Sequence, residues 1–248
     1  MRLAALYDIH GNLPALEAVM HDVKREGVDL LIIGGDVLPG PMPRETLEYL
    51  MHLDVPARFI HGNGDRVVLD QMAGKVPTQL PPAVQEDIAW VSRQLDPDHE
   101  RELRSWPATL HIDLGPERDV LFCHATPRND TEIFTRLTSE DRLRPIFEGV
   151  TESLVVCGHT HIQFDRMVGS LRVVNAGSVG MPFGKPGAYW LLLDPDVSLR
   201  RTAFDLSSAA DHIRATAYPH AAEFAARNIL DPPSEAEMLD IYSRSELR

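Results

Sequence analysis

Five short clusters of carboxylate, imidazole and amide side chains carry the chemistry of this sequence. They are Asp8 and His10 in "DIHGN", Asp36 in "GGD", Asn63 and Asp65 in "HGNGD", His124 in "CHA", and His159 with His161 in "CGHTH". Each follows an apolar run, and most are flanked by glycine, which lets the backbone turn sharply and approach a ligand closely. One aspartate in such a place is ordinarily a turn or a helix cap. All of these groups at the edge of one sheet system would be costly to desolvate without a partner. A divalent metal supplies that partner. The donors are oxygen and nitrogen with no thiolate requirement, which suits Mn, Fe, Zn, Co or Ni. Asp8, His10, Asp36, Asn63, His124, His159 and His161 are too many ligands for one ion and suit two, bridged by a carboxylate. Two metals about 3.5–4 Å apart polarise a bridging water and clamp the oxygens of a phosphoryl group.

The elements that must position these groups are legible as periodicity. "RLAALYDIH", "VDLLIIGGD" and "VPARFIHGNGD" read as strands, each ending in one of the clusters. Between them, "LPALEAVMHDVKREG" and "PRETLEYLMHL" have the apolar spacing of amphipathic helices, the first stopped by Gly27 and the second opened by Pro43. A β-α-β-α-β order implies a mostly parallel sheet, with ligands at the carboxyl ends of its strands. Residues 66–107 show helical patterns and several prolines but no strand, and are expected to form a helical insertion over the site. Strands return in "ATLHIDL", "RDVLFCHA", "SLVVCGHTH", "FDRMVGSLRVVNAGS" and "GAYWLLLD", with a tight turn at Gly169-Ser170 and a more antiparallel character. The main domain is expected to span residues 1–205. A polar helical tail follows over 206–248, a packing arm or an element for homo-oligomerisation.

Composition narrows the partners. The 248 residues carry a formal charge of −13, so no general attraction for nucleic acid or anionic membrane is expected. A phosphate-bearing ligand would need local positive charge or bound metal. No apolar run approaches the length of a membrane span or a signal peptide. Cys123 and Cys157 each close an apolar run and are expected to be buried thiols in a reducing, cytoplasmic setting.

Taken in order, Asp8-Ile9-His10, Gly35-Asp36, Gly62-Asn63-Gly64-Asp65, His124 and Gly158-His159-Thr160-His161 resemble the signature of the calcineurin-like metallophosphoesterases. "DIHGNLPALEAV" and "NAGSVGMPF" look like its small bacterial and archaeal phosphodiesterase branch. The resemblance covers roughly the first 195 residues. It implies an α/β fold, a four-layer α/β-β/α sandwich of two mixed sheets flanked by helices. It assigns one metal to Asp8, His10 and His161 and the other to Asn63, His124 and His159, with Asp36 bridging. Manganese is the favoured ion, and a small phosphate ester is the expected substrate. The implied activity is hydrolysis of a phosphodiester, with nucleotide-type esters among the candidates, through a metal-bridged hydroxide. The alternatives are a phosphomonoesterase or protein phosphatase on the same site, and a non-catalytic metal-binding scaffold.

The third motif departs from the family pattern. Many members carry histidine where this chain has Gly64, followed by an acid that orients it, here Asp65. General-acid assistance to a leaving group is worth about 10²–10⁴-fold, so its loss favours a diester over a monoester. Asn63 and Asp65 are the expected catalytic groups of this motif, and His61 is a candidate substitute acid. Arg128, just after His124, is expected to fork onto a phosphate. Lys185, in the loop "PFGKPG", is a weaker candidate for the same cleft.

Overall fold

The computed structural model describes residues 1–115 and 118–247; Arg248, the end of the expected tail, lies outside them. The chain opens as read, with β1 (Leu3–Leu6), α1 (Leu13–Glu26), β2 (Leu30–Ile33), α2 (Pro43–Met51) and β3 (Ala57–Phe59). Three helices follow, α3 (Asn63–Met72), α4 (Pro82–Gln94) and α5 (Pro97–Ser105). The second half holds β4 (Thr109–Asp113), β5 (Asp119–Cys123), α6 (Glu140–Phe147), β6 (Leu154–Cys157), β7 (Phe164–Val168), β8 (Leu171–Asn175), β9 (Ala188–Leu193) and β10 (Val197–Thr202). The tail forms α7 (Leu206–Arg214), α8 (Ala221–Phe224) running into a π-helical turn (Ala225–Leu230), and α9 (Glu235–Ser243).

Two mixed five-stranded sheets result, ordered β10-β9-β1-β2-β3 and β4-β5-β6-β8-β7. In the first, β1, β2 and β3 are parallel, and the antiparallel β9 and β10 complete it from the far end of the domain. In the second, the parallel pairs β5/β6 and β6/β8 lie between antiparallel edges. β10 is an addition to the sequence reading. Its "VSLRRT" is half-buried edge strand with too little apolar alternation to announce itself.

The alternation of strand side chains builds the layers. Leu3, Ala5 and Tyr7 face a core shared with Phe122, Val156 and Val174 of the second sheet. Ala4 and Leu6 face the opposite way, into a core closed by α1 and the tail helices. Val155 and Cys157 likewise turn from the inter-sheet core to a third one, with Leu143 and Phe147 of α6. Three apolar seams thus separate four layers, as the family resemblance implied.

α1 shows how the local code works. Asn12 caps it by accepting from the Ala15 N–H at 3.2 Å, and Gly27 ends it at φ +63°. Ala15, Leu16, Val19, Met20 and Val23 form its buried stripe. The tail is not a free arm. Ala209, Ala210, Ile213, Phe224 and Ile229 are buried in the same core as α1. Both cysteines are buried and unpaired at the ends of β5 and β6, and burial pushes both thiols up.

Candidate metal centre

The loops after β1, β2, β3, β5 and β6 meet at one edge of the two sheets. Two groups of potential metal ligands form there, Asp8 with His10 and His161, and Asp36 with His124 and His159. Within each, the ligand atoms lie within 4.8 Å of one another. His10 and His161, 151 positions apart, bring their Nε2 atoms to 3.3 Å. Asp36 spans the groups. Its Oδ2 lies 3.9 Å from His10 Nε2, and its Oδ1 lies 3.5 Å from His124 Nε2.

Backbone carbonyls hold the imidazoles from behind. His10 Nδ1 faces the Pro39 carbonyl at 3.3 Å, and His161 Nδ1 faces that of Met181 at 2.7 Å. His124 Nδ1 faces the Gly34 carbonyl at 3.0 Å, and His159 Nε2 faces that of Thr131 at 3.2 Å. A carbonyl can only accept, so each of these nitrogens carries the proton. The other nitrogen of each ring is left to present a lone pair inward. The Phe183 ring stacks on His161 at 5.3 Å and adds a further restraint.

The backbone here is strained. Asp8, His10, Asp36, His159 and His161 all have φ between +49° and +66°. L-residues avoid this left-handed region at a cost of about 1–2 kcal/mol each, and such strain persists where a site requires it. Gly158 shows the crowding, because a Cβ there would stand 2.5 Å from Asp8 Oδ2.

The donor set fits divalent metal. Asp8 Oδ2 accepts from the His159 N–H at 2.9 Å, but Oδ1 is buried with no hydrogen-bond partner. An orphaned carboxylate oxygen among inward imidazole nitrogens is a costly arrangement for protein alone, and a cation satisfies it. Burial and the two carboxylates pull the imidazoles in opposite directions. Burial disfavours protonation of His124, but Asp36 and Asp8 outweigh it and push the ring up to about 10. Burial and the charge of His124 push His159 down to about 4. Burial lowers His10 as well.

Asn63 opens α3 beside the second group, its side-chain oxygen 3.1 Å from His124 Nε2. With the amide turned, its nitrogen donates to His124 Nε2 at 3.1 Å, His159 Nδ1 at 3.0 Å and the Asp130 carbonyl at 3.0 Å. The turned amide satisfies the chain without metal, whereas oxygen inward suits a cation.

Asp65 is fully buried. Its Oδ1 accepts from the Leu38 N–H at 2.9 Å and its Oδ2 from the Gly62 N–H at 3.0 Å. Burial and the nearby Asp36 charge push it up to about 7. It therefore ties the second and third motif loops together. The Gly64 N–H donates to Asp36 Oδ1 at 2.7 Å, and a Cβ at Gly64 would stand 2.3 Å from the Leu38 carbonyl oxygen. Glycine here is a packing requirement.

Arg128 turns to Glu132, with Nη2 to Oε1 at 2.6 Å, and is half exposed. Lys185 is exposed in its loop, where its carbonyl accepts from the Tyr189 hydroxyl. His61 lies near the site with Nδ1 4.0 Å from Asp130 Oδ2, and that nitrogen is buried without a hydrogen-bond partner. Asp130 was not singled out from the sequence. Arg66 of α3 grips it through two bonds of 2.7 and 2.9 Å, holding the 126–131 loop whose Thr131 carbonyl anchors His159. The one available signal was "RND" soon after His124. Phe183 was missed as well, because nothing local marks a ring that stacks on a histidine 22 residues earlier.

Comparison with known proteins agrees with this geometry. Residues 1–197 match the family model of the calcineurin-like phosphoesterase superfamily domain. An uncharacterised protein of Methanocaldococcus jannaschii is 26% identical over 231 residues, covering 85% of this chain and 91% of its own. Phosphodiesterase YfcE of Escherichia coli K12 is 28% identical over 206 residues, covering 79% of this chain and 89% of its own. A metallophosphoesterase structure from Sphaerobacter thermophilus superposes with TM-score 0.72 at 26% identity, over 91% of this chain and 99% of that one. A hypothetical protein from Pyrococcus horikoshii OT3 shares the fold at TM-score 0.78 and 21% identity, over 94% of this chain and 99% of that one. Among the described residues, no helix is long and apolar enough to cross a membrane. With two clustered His/Asp groups where the strand-end motifs meet, the chain belongs to the calcineurin-like phosphoesterase superfamily, as a metallophosphoesterase of the YfcE-like small branch.

Proposed function

We propose that the protein is a dimetal phosphodiesterase. Two divalent ions, manganese in this reading, supply Lewis acidity toward the phosphoryl oxygens and activate a water. Asp8, His10 and His161 would hold one ion and Asn63, His124 and His159 the other, with Asp36 within reach of both groups. The amino end of α3 stands at the second group, and its dipole favours an incoming phosphate anion. The Asp65 carboxyl acts by positioning the Leu38 and Gly62 backbone beneath Asp36. Similarity to phosphodiesterase YfcE supports the diester reading.

The observation that carries a diester preference is the Leu38 carbonyl against Gly64. No side chain fits there to protonate a poor leaving group. A second reading, phosphomonoester hydrolysis, is favoured by the buried and unpartnered Nδ1 of His61 beside Asp130, a ready substitute acid. The test is metal-stripped protein reloaded with Mn²⁺, assayed on a chromogenic diester and the matching monoester, with Asp36→Ala as the blank. Hydrolysis of the diester alone supports the proposal. Equal or faster hydrolysis of the monoester, lost in His61→Ala, replaces it with the second reading.

A further inference from the structure

One cleft of about 400 Å³ opens directly from the metal centre, because His10 and Pro39 form its inner wall. Its outer walls come from two segments far apart in sequence. Val84 and Asp87 belong to α4, while Tyr218, Phe224, Arg227 and Asn228 belong to the tail. The tail wall begins after residue 197, where the match to the family model ends. It is therefore an addition to the part of the chain that carries the metal ligands.

The walls are clipped together. His220 Nδ1 and Asp87 Oδ1 are 2.8 Å apart, and Trp90 of α4 meets Tyr218 edge-on at 5.5 Å. Tyr218 in turn packs edge-on against Phe224 at 6.2 Å. The cleft is thus preformed, and its size suits a small organic group. Its floor is apolar and aromatic, with Met181 adding a thioether at the metal end. Polar groups line it as well, among them Arg227 and Asn228. Arg227 makes no ion pair among the described residues, although Glu223 lines the same cleft four residues earlier. Arg227 and Asn228 sit on the π-helical turn, a geometry found disproportionately at functional sites.

We infer that this cleft receives the organic group of the phosphoester, and that the group is planar, aromatic in size and edged with hydrogen-bonding atoms. The inference rests on phosphoester hydrolysis at the metal centre. A phosphoryl group beside His10 places its ester substituent against Pro39 and Met181. From there an aryl ring reaches the exposed margins of Tyr218 and Phe224, and its polar edge meets Asn228 and the Arg227 guanidinium. A methyl ester would leave the cleft to water. The insertion and the tail therefore select substrate, while the strand-end motifs do chemistry.

Non-hydrolysable phosphonates test this by binding. Calorimetry on the Mn²⁺-loaded protein compares benzylphosphonate with methylphosphonate, and hydrolysis of methyl para-nitrophenyl phosphate is measured alongside. Burying the phenyl ring is expected to tighten binding at least about tenfold over methyl. Ala83→Trp fills the cleft from an exposed position in the first turn of α4, without touching the core, and is expected to bring the benzyl-to-methyl ratio close to one. Arg227→Ala tests the polar edge. It is expected to weaken para-carboxamidobenzylphosphonate more than benzylphosphonate. If methylphosphonate binds with no gain from benzyl, or if Ala83→Trp leaves the ratio unchanged, the cleft assignment is overturned alone. If methylphosphonate does not bind and the methyl diester stays intact, the phosphoesterase reading falls and takes the assignment with it.

Discussion

The metal centre and the cleft beside it are built on opposite principles. The centre is made by loops at strand ends, with left-handed backbone at five ligands and each imidazole backed by a main-chain carbonyl. The outer walls of the cleft are α4, the segment joining α7 to α8, and the π-helical turn, held by one partly exposed His–Asp contact and edge-on aromatic packing. The first arrangement tolerates little change, because each imidazole is backed by a main-chain carbonyl inside a packed sandwich. The second adapts more easily, because several of its determinants, Ala83, Val84, Glu223 and Arg227, are exposed side chains. Chemistry held rigidly beside adjustable walls lets one fold serve many substrates.

Substitutions measure how sharp that division is. The largest effect is expected at Asp36, whose two oxygens face different groups. Asp36→Ala should lower turnover by about 10³-fold or more, and elemental analysis should find less than the full complement of metal. Full activity would mean that the groups act independently. Next is Gly64→His, which restores the imidazole common in the family. Its Cβ meets the Leu38 carbonyl, so a loss of about 1–3 kcal/mol in thermal or denaturant unfolding is expected, with no gain of monoesterase activity. A stable, monoester-active variant would show that the 36–40 loop yields.

Smaller still is Arg66→Ala. It frees Asp130 and loosens the loop behind His159, so metal affinity should fall about 10-fold while the fold survives. A metal titration followed by calorimetry reads this directly. The smallest effect belongs to the cleft walls. Asp87→Asn weakens the clip to His220, and a contact this open to solvent is worth below about 1 kcal/mol. Its hydrogen bond to Asp87 raises the His220 pKa. The contribution is then full below the unfolded histidine value of about 6.5, and it is lost as pH rises through the raised folded value. The Tm gap between wild type and Asp87→Asn should therefore be wider at acid pH and close in alkali. A gap independent of pH would make the clip a neutral hydrogen bond.

Residue type and order were enough to pick out the groups that meet at the sheet edge. Asp8, His10, Asp36, His124, His159 and His161 are clustered as read, because donor chemistry belongs to the side chain and strand ends are marked by where apolar runs stop. Local signals served α1 equally well, through Asn12, its apolar stripe and Gly27. They failed for β10, which gains its place only by pairing with β9. Arg128 pairs with Glu132, four residues along, a partner the sequence reading did not weigh.

What the sequence by itself determined is a set of oxygen and nitrogen donors able to hold metal and the strands that carry it. Only the tertiary structure decided which nitrogen of each imidazole faces inward, that Asp36 reaches both groups, and that Gly64 lies under a carbonyl. It also decided that the insertion and the tail share a cleft with His10. The physical reason is separation along the chain. His10 meets His161, and Asp87 meets His220, across 151 and 133 positions. Such contacts depend on strand order and on how the layers stack, and no local pattern encodes either.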